Sequence, residues 1–272
     1  MRTIVVSGGS SGIGRATALR FARAGDRVIS LDVTEPPRPS GSDGELSWIH
    51  CDVADWTAVD DALARVHRDH GLDVVIANAG ISVRHGVLDI TEEAARRVVD
   101  VNLLGTLGLW RSAARLMTGG RGGSGDGSGS GSGKGGGGGV LLATASVNGR
   151  RGYPYYADYN ATKAGVIALT QTFALELSPD IRVACVSPGA VLTPMQLAEY
   201  TDAMLDDVNA RIPAGRHASP EEIAAAFHYL ASPEAAFLTG QELVIDGGET
   251  AGATTAEFGT ATTATAPAAT TL

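Results

Sequence analysis

Residues 2–14 read Arg-Thr-Ile-Val-Val-Ser-Gly-Gly-Ser-Ser-Gly-Ile-Gly, and this stretch decides the fold. Residues 2–7 are mostly apolar and predict a short strand, which a glycine-rich turn follows. From Ile13 to Ala24 apolar residues recur at helical spacing, and Gly25 predicts the end of that helix. The chain therefore opens with a strand, a tight turn and a helix.

The same alternation of strands and helices continues along the chain. Further strands are predicted at residues 27–31, 46–51, 72–77, 140–145, 181–187 and 243–246. Helical patterns lie between them at residues 55–70, 91–118, 155–177 and 220–231. Such alternation predicts a parallel sheet with helices on both faces and right-handed crossovers. We expect a single doubly wound α/β domain over residues 1–249.

Two stretches do not fit this alternation. Residues 119–139 contain 14 glycines in 21 positions, which predicts a flexible insertion between a helix and a strand. A longer loop adds only about 0.6 kcal/mol of closure entropy per doubling, so the fold tolerates it. Residues 250–272 include 9 Thr and 8 Ala, and we expect a low-complexity, disordered tail there.

Composition excludes several classes of protein. The chain has 272 residues and a net charge of −9, which disfavours nucleic acid and anionic membranes as partners. Its apolar runs fall short of the roughly 20 residues of a membrane span, and the N-terminus lacks a signal-peptide pattern, so we expect a cytoplasmic protein. Cys51 and Cys185 are expected to be buried, reduced thiols. Because the Cys and His spacings match no ligand pattern, no metal site is predicted.

The first turn is a candidate phosphate site. Gly8, Gly12 and Gly14 let the backbone turn sharply and let a pyrophosphate approach the amides at the start of the helix, although a plain tight turn remains an alternative. Asp32 follows Gly12 by 20 residues, where a carboxylate can accept hydrogen bonds from a ribose and repel a 2′-phosphate. The pattern therefore favours NAD over NADP. A solvated loop aspartate is the alternative, and nearby Arg38 leaves NADP use open.

A tyrosine and a lysine four residues apart suggest proton transfer. Tyr159 and Lys163 fall on the same face of the predicted helix. A free tyrosine has a pKa of roughly 10, and a neighbouring cation favours the phenolate. An ordinary surface pair would show the same spacing.

Taken together, these motifs resemble the short-chain dehydrogenase/reductase family over roughly residues 2–248. The matching positions keep the order and the strand-end placement of that family; they are Gly8–Gly14, Cys51-Asp52-Val53, Ala77-Asn78-Ala79-Gly80, Asn102, Ser146, Tyr159-x-x-x-Lys163 and Pro188-Gly189. The resemblance implies a Rossmann domain whose seven-stranded sheet has the order 3-2-1-4-5-6-7. It also implies a homotetramer or homodimer built on the two long helices and the last strand.

The resemblance implies four catalytic residues. Tyr159 would be the acid/base, and Lys163 would lower the pKa of Tyr159 and bind the nicotinamide ribose. Ser146 would hold the substrate oxygen, and Asn102 would anchor a water that links Lys163 to solvent. Hydride would move to or from the nicotinamide while Tyr159 transfers the proton.

It also implies the contacts of the cofactor. Tyr159 and Lys163 would share this task with the glycine turn and with residues after the strands: Gly8, Ser10, Ser11, Gly12, Ile13, Gly14, Asp32, Asp52, Val53, Asn78, Ala79, Gly80, Pro188, Gly189, Val191 and Thr193. The Asn-Ala-Gly run at Asn78 is equally a good strand-ending turn.

The substrate side is predicted from position alone. Tyr153 and Tyr156 lie between Ser146 and Tyr159, so we expect all four to line the substrate pocket. His85 could face the same cleft, but a loop histidine is more often solvated. Residues 193–214 resemble the mobile lid of the family, and their Met and Leu content points to an apolar or cyclic substrate.

The sequence thus predicts an NAD(H)-dependent enzyme that interconverts a secondary alcohol and a ketone on a small molecule. An NADPH-dependent ketoreductase of polyketide or fatty-acyl type is a close alternative. A nucleotide-binding module without turnover is a third.

Overall fold

A computed structural model describes residues 1–37, 44–119 and 138–252 of the chain. Most of the predicted glycine-rich insertion and of the predicted tail lies outside these ranges, as does Arg38. Within the ranges, none of the helices combines the length and the hydropathy that a membrane span requires.

Seven parallel strands form one sheet in the order β3-β2-β1-β4-β5-β6-β7. This confirms the predicted doubly wound fold and strand order. The strands are β1 (Thr3–Ser7), β2 (Arg27–Asp32), β3 (Leu46–His50), β4 (Val74–Ala77), β5 (Gly139–Thr144), β6 (Ile181–Pro188) and β7 (Gln241–Ile245).

Helices cover both faces of the sheet. They are α1 (Gly12–Arg23), α2 (Trp56–His70), α3 (Glu92–Val99), α4 (Gly105–Met117), α5 (Ala157–Leu177), α6 (Pro194–Glu199), α7 (Asp202–Arg211) and α8 (Pro220–Leu230). Local chemistry fixes several of their starts. Asp55 caps α2 by accepting from the amides of Thr57 and Ala58, and Ser219 and Glu222 form a capping box on α8.

The alternating side chains of the strands divide the core into two layers. In β1, Val5 packs with Leu109 and Trp110 of α4 in one layer, while Ile4 and Val6 belong to the layer of α1 and α8. Both faces of the central strands are therefore buried, which explains why they are almost continuously apolar. Burying one such side chain fully contributes about 1.5–3 kcal/mol.

The predicted helix at residues 91–118 is interrupted. A π-helical turn (Asp100–Leu104) separates α3 from α4. The Asn102 side chain in this turn binds the backbone of Ile81, accepting from its N–H at 2.8 Å and donating to its carbonyl at 2.9 Å. Gly105 follows, where a Cβ atom would lie 2.8 Å from the Val53 side chain. These two contacts explain a change of helical pitch that the apolar pattern did not predict.

The predicted helix at residues 155–177 begins two residues late, at Ala157. Tyr155 has a φ of 73°, which is outside the helical region, and Tyr156 precedes the helix with a φ of −135°. The chain therefore turns sharply just before the catalytic candidates on α5.

Candidate active site

A cleft of about 320 Å³ opens at the carboxyl ends of β1 and β4. The chain leaves these two neighbouring strands toward opposite sides of the sheet, which is where doubly wound sheets bind ligands. Many predicted cofactor residues line the cleft: Gly8, Ser11, Gly12, Ile13, Asp32, Asp52, Val53, Asn78, Ala79, Gly80, Tyr159, Lys163 and Thr193. The structure thus brings residues from six separate parts of the sequence to one place.

Five predicted cofactor residues lie elsewhere. Ser10, Gly14, Pro188 and Val191 are not part of the cleft wall, and Gly189 lines a second cavity described below. Ser10 donates its hydroxyl to the Thr34 carbonyl at 2.5 Å. A Cβ atom on Gly14 would lie 2.0 Å from the Gly8 carbonyl oxygen, so this glycine serves the packing of the turn.

The glycine turn places the N-terminus of α1 at the cleft. Gly8 and Gly12 have φ values of 66° and 51°, a conformation that favours glycine. A Cβ atom on Gly8 would lie 2.8 Å from the Ala79 backbone, so the turn also packs tightly against the end of β4. The free amides and the dipole of α1 favour an anion such as a pyrophosphate at this end.

Asp32 is a fixed carboxylate at the end of β2. Its Oδ2 accepts from the Ser10 amide at 3.0 Å, and its Oδ1 accepts from the Thr34 amide at 3.0 Å. It is therefore not the freely solvated aspartate of the alternative interpretation. Each carboxylate oxygen can accept a further hydrogen bond, so ribose hydroxyls can still bind.

Asn78 both lines the cleft and joins three strand ends. Its amide donates to the carbonyls of Ser7 and Gly8 at 3.2 Å each, and its Oδ1 accepts from the Thr144 hydroxyl at 2.9 Å. The strand-ending interpretation of this residue is therefore correct, and it coexists with a position on the cleft wall.

Asp52 is held by a residue that the sequence analysis did not single out. Its Oδ2 lies 3.1 Å from Arg97 of α3, and Arg97 also lines the cleft. In the sequence, Arg97 is only a polar residue of a predicted helix, which does not indicate a place at the cleft.

A second cavity, of about 290 Å³, meets the first at Tyr159 and Met195, which line both. It contains the predicted substrate residues Ser146, Tyr153 and Tyr156. Helices α6 and α7 supply much of its remaining wall, so the predicted lid at residues 193–214 faces this cavity. Tyr159 therefore lies where the cleft and the second cavity meet.

Tyr159 is half-buried, and its phenol interacts with the Ser146 hydroxyl. Burial raises the pKa of Tyr159 to about 12, the interaction with Ser146 opposes this rise, and the Glu199 carboxylate adds to it. Ser146 is positioned as the cap of a short helical turn, accepting from the Asn148 amide at 3.1 Å. Tyr159 and Ser146 thus both line the second cavity.

Lys163 lies beside the Tyr159 ring, and its lowering of the Tyr159 pKa stays a prediction. Its Nζ lies 5.5 Å from the centroid of the Tyr159 ring and donates to the Thr144 carbonyl at 2.7 Å. Lys163 is 4% exposed, and burial lowers the pKa of its ammonium group to about 8. Desolvation therefore dominates the protonation of both residues.

The Asn102 side chain has a structural role, because it makes several hydrogen bonds within the protein. Besides the two bonds to Ile81, its amide donates to the Thr162 hydroxyl at 3.3 Å. The side chain thus ties the π-helical turn to the loop after β4 and to α5. The water-anchoring role of Asn102 stays a prediction.

His85 is not solvated, contrary to our expectation. Its side chain is 11% exposed, and its Nε2 lies 3.2 Å from the Asp158 carboxylate, whose side chain is 5% exposed. Asp158 also accepts from the Tyr159 amide at 2.8 Å. This pair joins the loop after β4 to the start of α5, a contact between residues 73 positions apart that no local pattern could reveal.

The second cavity has polar groups as well as the apolar wall expected for an apolar or cyclic substrate. The Tyr153 hydroxyl donates to Glu249 at 2.5 Å, and the Tyr156 hydroxyl donates to Glu199 at 2.8 Å. Neither glutamate was predicted as a site residue, because each lies outside any motif, on α6 or after β7.

Both cysteines are free and buried, as predicted. Burial raises the pKa of the Cys51 thiol to about 11 and that of the Cys185 thiol to about 12. Within the described ranges, groups of three or more His, Cys, Asp or Glu side chains that could hold a metal ion do not occur.

Comparison with known proteins agrees with this geometry. Residues 8–250 match the family model described as enoyl-(acyl carrier protein) reductase. The chain is 33% identical to the 3-oxoacyl-[acyl-carrier-protein] reductase FabG of Thermotoga maritima, over 91% of this chain and 97% of that protein. It is 33% identical to an L-rhamnose 1-dehydrogenase (NAD(P)(+)) of a Sphingomonas strain, over 91% and 95% of the two chains.

A solved structure is also similar. The aldohexose dehydrogenase of Thermoplasma acidophilum superposes with a TM-score of 0.82 at 28% identity, covering 94% of this chain and 96% of that chain. Fold, cleft and sequence similarity thus lead to one assignment. The chain belongs to the short-chain dehydrogenase/reductase family of Rossmann-fold oxidoreductases.

Proposed function

We propose that this protein is an NAD(H)-dependent oxidoreductase that interconverts a secondary alcohol and a ketone. The observation that carries the proposal is the position of Tyr159, beside Ser146 and where the cleft meets the second cavity. A carbonyl oxygen placed between these two hydroxyls would have its carbon facing the cleft. When bound there, the nicotinamide supplies or accepts the hydride.

Tyr159 would transfer the proton, and Ser146 would stabilise the negative charge that develops on the substrate oxygen. In the reducing direction the Tyr159 phenol donates its proton to the developing alkoxide, while the Ser146 hydroxyl donates a hydrogen bond to the same oxygen. The raised pKa of Tyr159 keeps the phenol protonated at neutral pH, which suits its role as an acid. Lys163 would bind the nicotinamide ribose.

The cleft residues fit a dinucleotide. The glycine turn presents the N-terminus of α1, and Asp32 and Lys163 both line the same cleft. The fixed Asp32 carboxylate would accept from the adenosine ribose and repel a 2′-phosphate, which supports NAD as the cofactor.

Reduction of a 3-oxoacyl group with NADPH is the second candidate. Similarity to FabG of Thermotoga maritima and to the 3-oxoacyl-[acyl-carrier-protein] reductase MabA of Mycobacterium tuberculosis favours it, each at 33% identity. Titration of the two cofactors separates the candidates. We expect NAD to bind more tightly than NADP. Asp32→Ala should reduce the ratio of the two affinities tenfold or more, which corresponds to about 1.4 kcal/mol of binding free energy. Stronger binding of NADP by the unaltered protein would favour the second candidate.

A panel of secondary alcohols with NAD, and of ketones with NADH, tests the proposed reaction. We expect a change in nicotinamide absorbance with at least one substrate pair. Cofactor binding by calorimetry without turnover across the panel would instead indicate the nucleotide-binding module considered above.

Assembly, location and domain boundaries stay predictions. We expect a homotetramer or homodimer, and light scattering at micromolar concentration would show a monomer if that is wrong. The expected cytoplasmic location and the extent of the domain to residue 249 likewise await a direct measurement.

A further inference from the structure

Two glutamates, Glu199 of α6 and Glu249 after β7, line the second cavity. From their arrangement we propose that the substrate is a neutral, polyhydroxylated small molecule, whose hydroxyl groups donate to Glu199 and Glu249. The proposal rests on the proposed function, because it takes the second cavity as the substrate site. It narrows the apolar or cyclic substrate that the lid sequence suggested to one that carries several hydroxyl groups.

Glu199 belongs to α6 and is held in place by two hydroxyl donors. Its Oε2 accepts from Tyr156 at 2.8 Å, and its Oε1 accepts from the Ser82 hydroxyl. The Tyr156 ring packs edge-on against the Tyr159 ring, with centroids 6.3 Å apart. The same carboxylate raises the pKa of Tyr159, so its charge is felt at the proposed proton donor.

Glu249 follows β7 and has a comparable set of partners. It accepts from the Tyr153 hydroxyl at 2.5 Å, and Arg151 lies 3.8 Å from it. A Cβ atom on Gly189 would lie 2.8 Å from its Oε2, so this oxygen is directed toward the cavity wall at Gly189. The glutamate side chain is 18% exposed, which leaves it accessible from the cavity.

These carboxylates can still accept hydrogen bonds. A carboxylate offers about four acceptor sites, and the contacts above use one per oxygen of Glu199. The Tyr156 hydroxyl donates its proton to Glu199, so its oxygen is also an acceptor, whereas the Tyr153 oxygen already accepts from Arg151. Hydroxyl donors on a substrate are the natural complement of such a wall.

The charge of the wall argues against an acidic substrate. Arg211, the basic residue of the wall, lies 2.8 Å from Asp207 of its own helix, and Arg151 faces Glu249. Among the described ion pairs none includes Glu199. A carboxylate or phosphate brought into this cavity would meet a like charge in a partly desolvated setting, where repulsion is poorly screened.

Binding of three ring compounds tests the proposal without requiring turnover. Protein loaded with NADH is titrated with cyclohexanetriol, cyclohexanol and cyclohexanecarboxylate, and dissociation constants are measured by ligand-observed NMR. We expect the triol to bind tenfold or more tightly than the carboxylate, since hydrogen bonds to charged groups have effects of at least this order. Glu199→Gln should weaken triol binding and strengthen carboxylate binding, while cyclohexanol changes little.

Glu234→Gln, at an exposed position far along the chain, is the matched control and should leave all three affinities unchanged. Glu249→Gln provides a second, independent variant if Glu199→Gln fails to fold. Equal or tighter binding of the carboxylate, an unchanged ratio in both variants, or no binding of any compound would overturn the proposal. Failure of the proposed function is a separate result, because it appears as absent turnover whatever the binding order.

Discussion

Replacing Lys163 with Met should change how the stability of the protein depends on pH. The lysine is 4% exposed, and burial lowers its pKa from 10.5 to about 8 in the folded protein. Below pH 8 both the folded and the unfolded chain carry the charge, and the folded chain bears the cost of desolvating it. Between the two pKa values the unfolded chain binds the extra proton, so the stability of the wild type rises with pH.

The size of the effect follows from the pKa difference. At about 1.4 kcal/mol per unit, the wild type should gain about 2 kcal/mol relative to Lys163→Met as the pH rises from about 8 to about 10, and about 3 kcal/mol over the whole titration. Urea unfolding of both proteins at a series of pH values measures the difference, and titrations common to both cancel. Lys134→Met, in the glycine-rich segment, is the matched control and should follow the wild type. A stability difference that does not vary with pH would refute the reasoning.

Two further predictions concern the core and the proton donor. Trp110→Ala should cost about 3–5 kcal/mol in urea unfolding, because the side chain is fully buried and its Nε1 donates to the Leu142 carbonyl at 3.2 Å; a loss below about 1 kcal/mol would contradict the packing described. Ser146→Ala should move the rise of alcohol oxidation with pH to higher pH values, because the interaction with Ser146 that lowers the Tyr159 pKa is lost. A pH profile of kcat/KM that rises at the same pH as in the wild type would contradict this.

The fold could be predicted from sequence because its signals are local. The strand at residues 2–7, the glycine turn and the helix to Ala24 are each specified by neighbouring residues, and the structure has β1 and α1 within one or two residues of these bounds. The apolar strands likewise follow from burial on both faces of the sheet. The boundaries that moved did so for tertiary reasons, as where Asn102 binds Ile81 within the π-helical turn.

The cleft wall was predicted less completely than the sheet. Motif positions such as Asp32 and Asn78 could be named because they follow strand ends. Glu199, Glu249 and the His85–Asp158 pair could not, since each depends on elements that meet only in the folded chain. Protonation also depends on tertiary burial, which raises the Tyr159 pKa and which the spacing of Tyr159 and Lys163 along the helix does not reveal.

The central claim is that Tyr159 transfers the proton at the junction of the two cavities. Single-turnover hydride transfer, followed by nicotinamide fluorescence with a substrate found in the panel, tests it most directly. In Tyr159→Phe we expect the rate to fall by about two orders of magnitude or more, the usual scale of general acid–base catalysis. Tyr229→Phe, at a residue that is 42% exposed, should keep the wild-type rate. A wild-type rate of hydride transfer in Tyr159→Phe would contradict the account.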